Sequence, residues 1–182
     1  MIFEPGPIEG IVVVKPRIFG DDRGFFYESY QEEKFKAGGI AAHFVQDNCA
    51  KSTFGVLRGL HYQAGEFAQA KLVRVPVGKV LDVAVDLRPN SPSYGEHFSI
   101  ELSDENHWQL FVPRGFAHGY VVLSATAIFE YKCDNFYNKA AEGGLMYNDP
   151  HLNIDWKIDL SEAILSDKDQ VHPAFGKHKA AL

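Results

Sequence analysis

In the run Val56-Leu57-Arg58-Gly59-Leu60-His61-Tyr62-Gln63, followed closely by Lys71, a guanidinium, an imidazole and an ammonium stand within a short stretch of apolar, β-favouring chain. A strand that only had to pack would carry Val, Ile or Phe in such places, because an unpaired charge taken out of water costs several kcal/mol. These residues therefore point to a bound polar group. An imidazole, with an unperturbed pKa of about 6.5, is largely neutral near pH 7, which is the state a general base requires.

The elements that must position these groups are short and β-rich. Strands are expected over 11–14, 24–30, 44–48, 56–62, 72–75, 79–86, 96–102, 109–112, 117–123 and 126–133. Turn chemistry separates many of them, as in Phe19-Gly20-Asp21-Asp22-Arg23-Gly24, Pro76-Val77-Gly78, Arg88-Pro89-Asn90-Ser91-Pro92 and Pro113-Arg114-Gly115. Many short strands at fairly even spacing predict an all-β sandwich or barrel. Helical patterning is confined to 31–37, closed by Gly38-Gly39, and to 160–165. Neither supplies the crossover helices of a parallel sheet, which argues against a doubly wound α/β fold.

The 182 residues suit one domain, expected to span 1–182, and 46% hydrophobic with 13% aromatic residues describes a folded rather than a disordered chain. A formal net charge of -6, with no Lys/Arg cluster to offset it, leaves no basis for nucleic-acid binding, whereas a small anion needs only a few placed cations. The N-terminus lacks a basic start followed by an apolar core, and no apolar stretch approaches the ~18 residues needed to span a bilayer. A soluble, cytoplasmic protein is expected, without membrane attachment. Cys49 and Cys133 lack metal or redox spacing and read as two buried thiols.

Taken with Pro113-Arg114-Gly115-Phe116-Ala117-His118-Gly119 and Leu165-Ser166-Asp167-Lys168-Asp169, the Arg58-Gly59-Leu60-His61 run and Lys71 closely resemble the dTDP-4-dehydrorhamnose 3,5-epimerase family. The segments from Phe19 to Tyr30, Phe44 to Asn48 and Gly78 to Asp86 resemble it in the same order, so the likeness runs from about Ile11 to Asp169. The resemblance implies an all-β, cupin-type jelly-roll barrel with a few short peripheral helices. It further implies a homodimer whose N-terminal segments are exchanged, no metal and no other cofactor. The implied substrate is a dTDP-linked 4-keto-6-deoxyhexose inverted at C3 and C5, in deoxysugar synthesis for surface polysaccharide or a glycosylated product.

By the same resemblance His61 is the base, Asp169 the carboxylate that orients it, Tyr131 the acid on the opposite face, and Lys71 the cation at the enolate oxygen. Arg58, Arg23 and His118 match phosphate ligands, with Arg23 supplied by the partner chain, and Tyr137 matches the ring that stacks on the base. Gln46, Asn48, Glu28, Glu142 and Lys168 match further binding positions. The chemistry fits these types. A 4-keto group acidifies the hydrogens on both neighbouring carbons, and an enolate needs a donor already in place, a contribution often of order 10²–10³ in rate. A guanidinium fork suits a diphosphate.

Other readings compete with this one. Taken alone, His61 would be a satisfied core histidine, Tyr131 and Tyr137 packed strand tyrosines, and Asp169 a solvated turn residue. His43, His97, His107, His151, His172 and His178 read as surface or loop residues. Many cupins hold a metal through a His-x-His pair, a Glu and a later His. Here Gln63 stands where the second histidine would, leaving only His61, Glu66 and His118 to consider. A mono-epimerase inverting C3 or C5 alone, and a nucleotide-sugar-binding cupin without turnover, are the alternative functions. Binding alone would not require an acid and a base on opposite faces.

One geometric requirement follows. Strict alternation along a strand sends Arg58 and His61 to opposite faces, yet both should reach one cavity. A bulge at Gly59 would reconcile them.

Overall fold

The computed structural model describes all 182 residues. Strands run Ile2–Pro5 (β1), Val12–Lys15 (β2), Phe19–Asp21 (β3), Gly24–Phe26 (β4), Gln46–Thr53 (β5), Leu57–Gln63 (β6) and Lys71–Val77 (β7). They continue as Lys79–Asp86 (β8), His97–Ser103 (β9), Gln109–Val112 (β10), Phe116–Val122 (β11), Thr126–Cys133 (β12) and Glu142–Gly144 (β13). One helix, Glu32–Ala37 (α1), lies between β4 and β5. The strands form a six-stranded sheet in the order β1-β2-β10-β7-β12-β5, a five-stranded sheet β13-β6-β11-β8-β9, and the separate hairpin β3-β4. All ladders are antiparallel, and the expected jelly roll with few helices is the result. No helix is long and apolar enough to cross a membrane.

Alternation distributes the apolar residues into layers. Val73, Val75, Ala127 and Phe129 from one sheet meet Val80, Ala84, Phe116, Tyr120 and Val122 from the other in the central core. The outer side of the five-stranded sheet offers Leu57, Leu60, Leu81, Val83, Val85, Ala117 and Val121 to the C-terminal segment, which covers them with Leu145, Leu152 and Trp156. Strand β8 is therefore covered on both faces, which explains its nearly unbroken apolar run. Helix α1 closes the other sheet through Phe35, packed with Ile40 and Leu72.

Local departures from the sequence reading have simple causes. Strand β5 continues from Gln46 to Thr53, well past residue 48, because Ala50 and Ser52 keep the inward alternation while Lys51 and Thr53 face solvent. The expected strand over 24–30 stops at Phe26, and the expected helix over 160–165 shrinks to a single 3₁₀ turn, Leu160–Glu162, beyond which Ile164 pairs with Val56. Cys133 is buried, but Cys49 lies on the outward face of β5 and is exposed, against the expectation of two buried thiols.

The loop after β8 depends on a buried charge. Asp86, whose side chain is 0% exposed, receives a bidentate fork from Arg88 at 2.9 and 2.7 Å and hydroxyls from Ser91 and Ser93 at 2.6 and 2.7 Å. Burial works to raise its carboxyl, but these donors outweigh it and hold the group at about 2. A carboxyl depressed in the folded state contributes stability above its unfolded value of about 3.9 and loses it as the pH falls through the folded value. Asp86→Asn is expected to cost about 3 kcal/mol at pH 7. The variant should also lack the part of the acid sensitivity that wild type shows between about pH 4 and about pH 2, as urea unfolding across that range will measure.

Candidate active site

The inward faces of the two sheets enclose two adjoining cavities of about 350 and about 220 Å³, which share His61, Lys71 and Tyr131. His61 belongs to the five-stranded sheet. Lys71 at the start of β7 and Tyr131 in β12 belong to the facing sheet, where alternation with Val73 and with Phe129 and Cys133 turns them inward. The imidazole and the phenol thus line one space from opposite walls.

Arg58 reaches the same space because β6 is irregular where expected. His118 pairs with His61 and Tyr120 with Arg58, so the single residue Gly119 on β11 faces both Gly59 and Leu60 on β6. This bulge lets Leu57, Leu60 and Tyr62 point outward into the second core while Arg58 and His61 both line the smaller cavity. Only glycine fits at 59. Its φ is +139°, and a Cβ there would stand 2.5 Å from Gly119 Cα.

Asp169 comes from the irregular C-terminal segment, and its placement follows from a short parallel bridge. Val56 pairs with Ile164, held by Leu57 N donating to Ile164 O at 3.0 Å and Ile164 N donating to Gly55 O at 2.9 Å. Further along the two chains from this bridge stand His61 and Asp169, with His61 Nε2 2.5 Å from Asp169 Oδ1. Ser166 Oγ donates to the other carboxylate oxygen at 2.8 Å. Burial acts to raise the Asp169 carboxyl, but the bonds from His61 and Ser166 hold it below the ordinary carboxylate range. It stays ionised, accepts the Nε2 proton of His61, and leaves the lone pair of the neutral ring on Nδ1.

Lys71 Nζ makes no ion pair or hydrogen bond and lies 5.8 Å from the centre of the Tyr131 ring. Burial lowers its ammonium below the usual lysine value, with Cys133 and Asp82 acting in the opposite direction. Burial likewise raises the Tyr131 phenol, helped by Cys133 and Tyr120 and opposed by Arg58, so the phenol keeps its proton at neutral pH.

The remaining expected residues divide into two groups. Gln46, Asn48, Tyr137 and Glu142 line the larger cavity; Gln46 Nε2 donates to Asn48 Oδ1 at 3.0 Å, and Tyr137 is 54% exposed. Lys168 is tied to Glu142 by an ion pair. His118 lines the smaller cavity, its Nε2 2.9 Å from Asp82. Arg23 and Glu28 do not reach either cavity of their own chain. Arg23 sits on the β3-β4 hairpin bound to Asp21, and Glu28 pairs with Lys34 at 2.7 Å beside α1.

Two participants were not anticipated. Asp82 is 0% exposed within the apolar run of β8, and a carboxylate there is a sequence signal of its own, since it must find a partner; that partner is His118. His172, expected on the surface, has a side chain only 10% exposed and lies edge-on to the His61 ring at 5.3 Å. Gly144, paired with His61 across β13, makes room for it, because a Cβ there would meet the His172 ring at 2.3 Å. Burial and then the neighbouring His61 lower its imidazole. The histidine-carboxylate cluster of the site is therefore His61, Asp169 and His172, not the set of His61, Glu66 and His118 considered from the sequence.

A jelly roll with a carboxylate-backed imidazole on one wall and a protonated phenol and free ammonium on the other has the parts of an isomerase that moves protons on carbon. The chain belongs to the dTDP-4-dehydrorhamnose 3,5-epimerase family, whose model matches residues 5–177. A protein of Shigella flexneri named dTDP-4-dehydrorhamnose 3,5-epimerase is 51% identical over 163 residues, 89% of each chain. The crystal structure of the enzyme of that name from Elizabethkingia anophelis is 56% identical, with a TM-score of 0.92 over 96% of each chain. An epimerase from Legionella pneumophila, solved in complex with dTDP-4-keto-L-rhamnose, is 46% identical, with a TM-score of 0.90 over 94% of this chain and 91% of that one.

Proposed function

We propose that this chain converts dTDP-4-dehydro-6-deoxy-D-glucose to dTDP-4-dehydro-L-rhamnose, with His61 as base, Asp169 as its orienter, Tyr131 as acid and Lys71 as the cation beside the enolate oxygen. The observation that carries the reading is the pair of walls: a base backed by an ionised carboxylate faces a neutral phenol across the cavities that both line. His61 Nδ1 takes the C3 proton, the electron pair moves into the C3–C4 bond, and charge develops on the ketone oxygen. Asp169 stabilises the imidazolium as it forms. Lys71 has no carboxylate of its own, so its charge stays available to the enolate oxygen. Tyr131 then returns a proton to the other face; the imidazolium gives its proton to solvent, the phenolate takes one from solvent, and the cycle repeats at C5.

Arg58 and His118, both lining the smaller cavity, serve the diphosphate, and the exposed Tyr137 ring serves thymine. Gln46, Asn48, Glu142 and Lys168 complete the mouth. Arg23 and Glu28 act on a second copy: the hairpin that carries Arg23 also exposes Phe19, Phe25 and Phe26, an apolar patch that a homodimer with exchanged N-terminal segments would cover. The reaction is assigned to a single domain in the cytoplasm and to deoxysugar synthesis.

Incubation with the keto-sugar in deuterated water, read by NMR, tests the reading: deuterium at both C3 and C5 with L-rhamno couplings is expected. Label at one carbon only would replace it with a mono-epimerase, and no label with a binding protein. Lys71 also makes a pH prediction. The cationic form is the active one, and its depressed value means that activity is lost on the alkaline side below the ordinary lysine range. Lys71→Arg is expected to move that alkaline limb upward while lowering the rate about tenfold or more, because a guanidinium stays charged but cannot occupy the same point. A kcat/KM profile whose alkaline limb does not move would remove Lys71 from this role.

A further inference from the structure

Two imidazole nitrogens approach one oxygen of Asp169. His61 Nε2 lies 2.5 Å from Oδ1 and His172 Nε2 3.6 Å from it, and the ligand atoms of all three residues fall within 4.8 Å of one another. His172 Nε2 is shut off from solvent and has no hydrogen-bond partner. A buried polar atom left unpaired costs about 1–3 kcal/mol. The epimerisation does not use this nitrogen, so its aim at an oxygen already engaged by another imidazole needs a separate reason.

Two imidazoles and a carboxylate converging on one point are the donors of three-ligand zinc sites, with metal–ligand distances of about 2.0–2.2 Å and a fourth position left open. Donors around a tetrahedral ion at that distance stand about 3.3 Å apart. The His61 contact must open by less than about 1 Å, the His172 contact close by a few tenths, and the two ring nitrogens, within 4.8 Å of each other, draw together by up to about 1.5 Å, movements that rotation of the two imidazoles supplies. The His61 side chain is 33% exposed to the cavity, which gives an ion its way in. Ser166 Oγ, bound to Asp169 Oδ2 at 2.8 Å, supplies the outer hydrogen bond that orients a metal-binding carboxylate.

We propose that His61, Asp169 and His172 form an inhibitory site for a divalent transition ion, zinc foremost, which stops epimerisation by taking the catalytic base as a ligand. The proposal rests on the reading of His61 as base. An ion on Nε2 fixes the ring proton on Nδ1, so the nitrogen that would accept the carbon-bound proton has no lone pair, and Asp169 is withdrawn from the imidazole at the same time. Magnesium and calcium, which favour all-oxygen shells, are not expected to act here.

The test uses the full chain freed of metal, in a Cys49→Ser background so that the exposed thiol does not compete. Titration with Co²⁺ is expected to give the visible absorption of a tetrahedral nitrogen–oxygen site, saturating at one ion per chain and displaced by Zn²⁺. Zinc is expected to suppress deuterium exchange into the keto-sugar, chelator to restore it, and Mg²⁺ at the same concentration to leave it unchanged. His172→Ala should weaken zinc binding and inhibition at least about tenfold. Inhibition is read as each variant's rate with zinc over its own rate without, so any change in basal rate cancels. A cobalt spectrum or an inhibition ratio that His172→Ala leaves unchanged, saturation below one ion per chain, or full exchange in the zinc-loaded protein would each overturn the proposal. Binding through His172 in a chain that never exchanges deuterium would keep the metal site and sink the epimerase reading, whereas full activity in a chain that binds no ion does the reverse.

Discussion

His61→Ala is expected to abolish deuterium incorporation at both C3 and C5 while leaving dTDP binding within a few-fold of wild type. A positioned general base contributes about 10²–10⁴ in rate, and on the proposed mechanism the same imidazole serves both carbons, so one substitution should remove both exchanges. On the proposed reading the nucleotide is held by other side chains of the same cavities, Arg58, His118 and Tyr137, which the truncation leaves in place. The variant also strips the buried Asp169 carboxylate of its His61 donor, an additional stability cost of about 1–3 kcal/mol. His61→Asn, which can still donate to Asp169, guards against loss of fold as the explanation. NMR exchange rates at both carbons, beside a thermal unfolding curve, make the measurement. Wild-type exchange at either carbon in a folded variant would take His61 out of the mechanism at that carbon.

The framework was legible because its signals are local. Turn residues and two-residue alternation mark most strands, and a conflict between alternation and chemistry marks the bulge at Gly59, since glycine is the residue that can take φ of +139° beside another backbone. Strand β5 was read too short because its far half alternates polar with small residues, a pattern set by facing a polar cavity on one side and solvent on the other.

The site was legible only in part, for a physical reason. His61 announced itself by its neighbours in sequence, but Asp169 meets it only through the bridge between Val56 and Ile164, and Tyr131 faces it only through the packing of two sheets. Such contacts between distant residues leave no periodicity, and family resemblance alone pointed to them. His172 left no trace at all, lying in an irregular segment whose course is fixed by contacts such as Met146 N donating to Pro173 O at 2.9 Å and Phe175 N to Asp149 Oδ2 at 2.7 Å. Asp82 was different. Its carboxylate within Val80-Leu81-Asp82-Val83-Ala84-Val85 could have been marked as a buried charge requiring a partner from the sequence itself.

Tyr131→Phe separates the two halves of the reaction. On the proposed roles the base on β6, backed by Asp169 from the C-terminal segment, stands on one wall and the phenol on the other, so removing the hydroxyl should leave proton abstraction intact and remove the donor for the opposite face. The enolate can then be reprotonated only from the His61 side, by an imidazolium that has exchanged its proton with solvent. The expected outcome is a substrate that acquires deuterium at C3 with its original configuration, while inversion falls by about 10²–10⁴. Phe keeps the ring packed against Phe129, 6.0 Å between centroids, so the fold should hold and KM should change little. The ratio of exchange to inversion should rise over that of wild type by the same factor, measured by NMR on recovered substrate and product. If exchange and inversion fell together, the phenol would be serving proton removal or binding instead, and the division of labour between the two walls would be wrong.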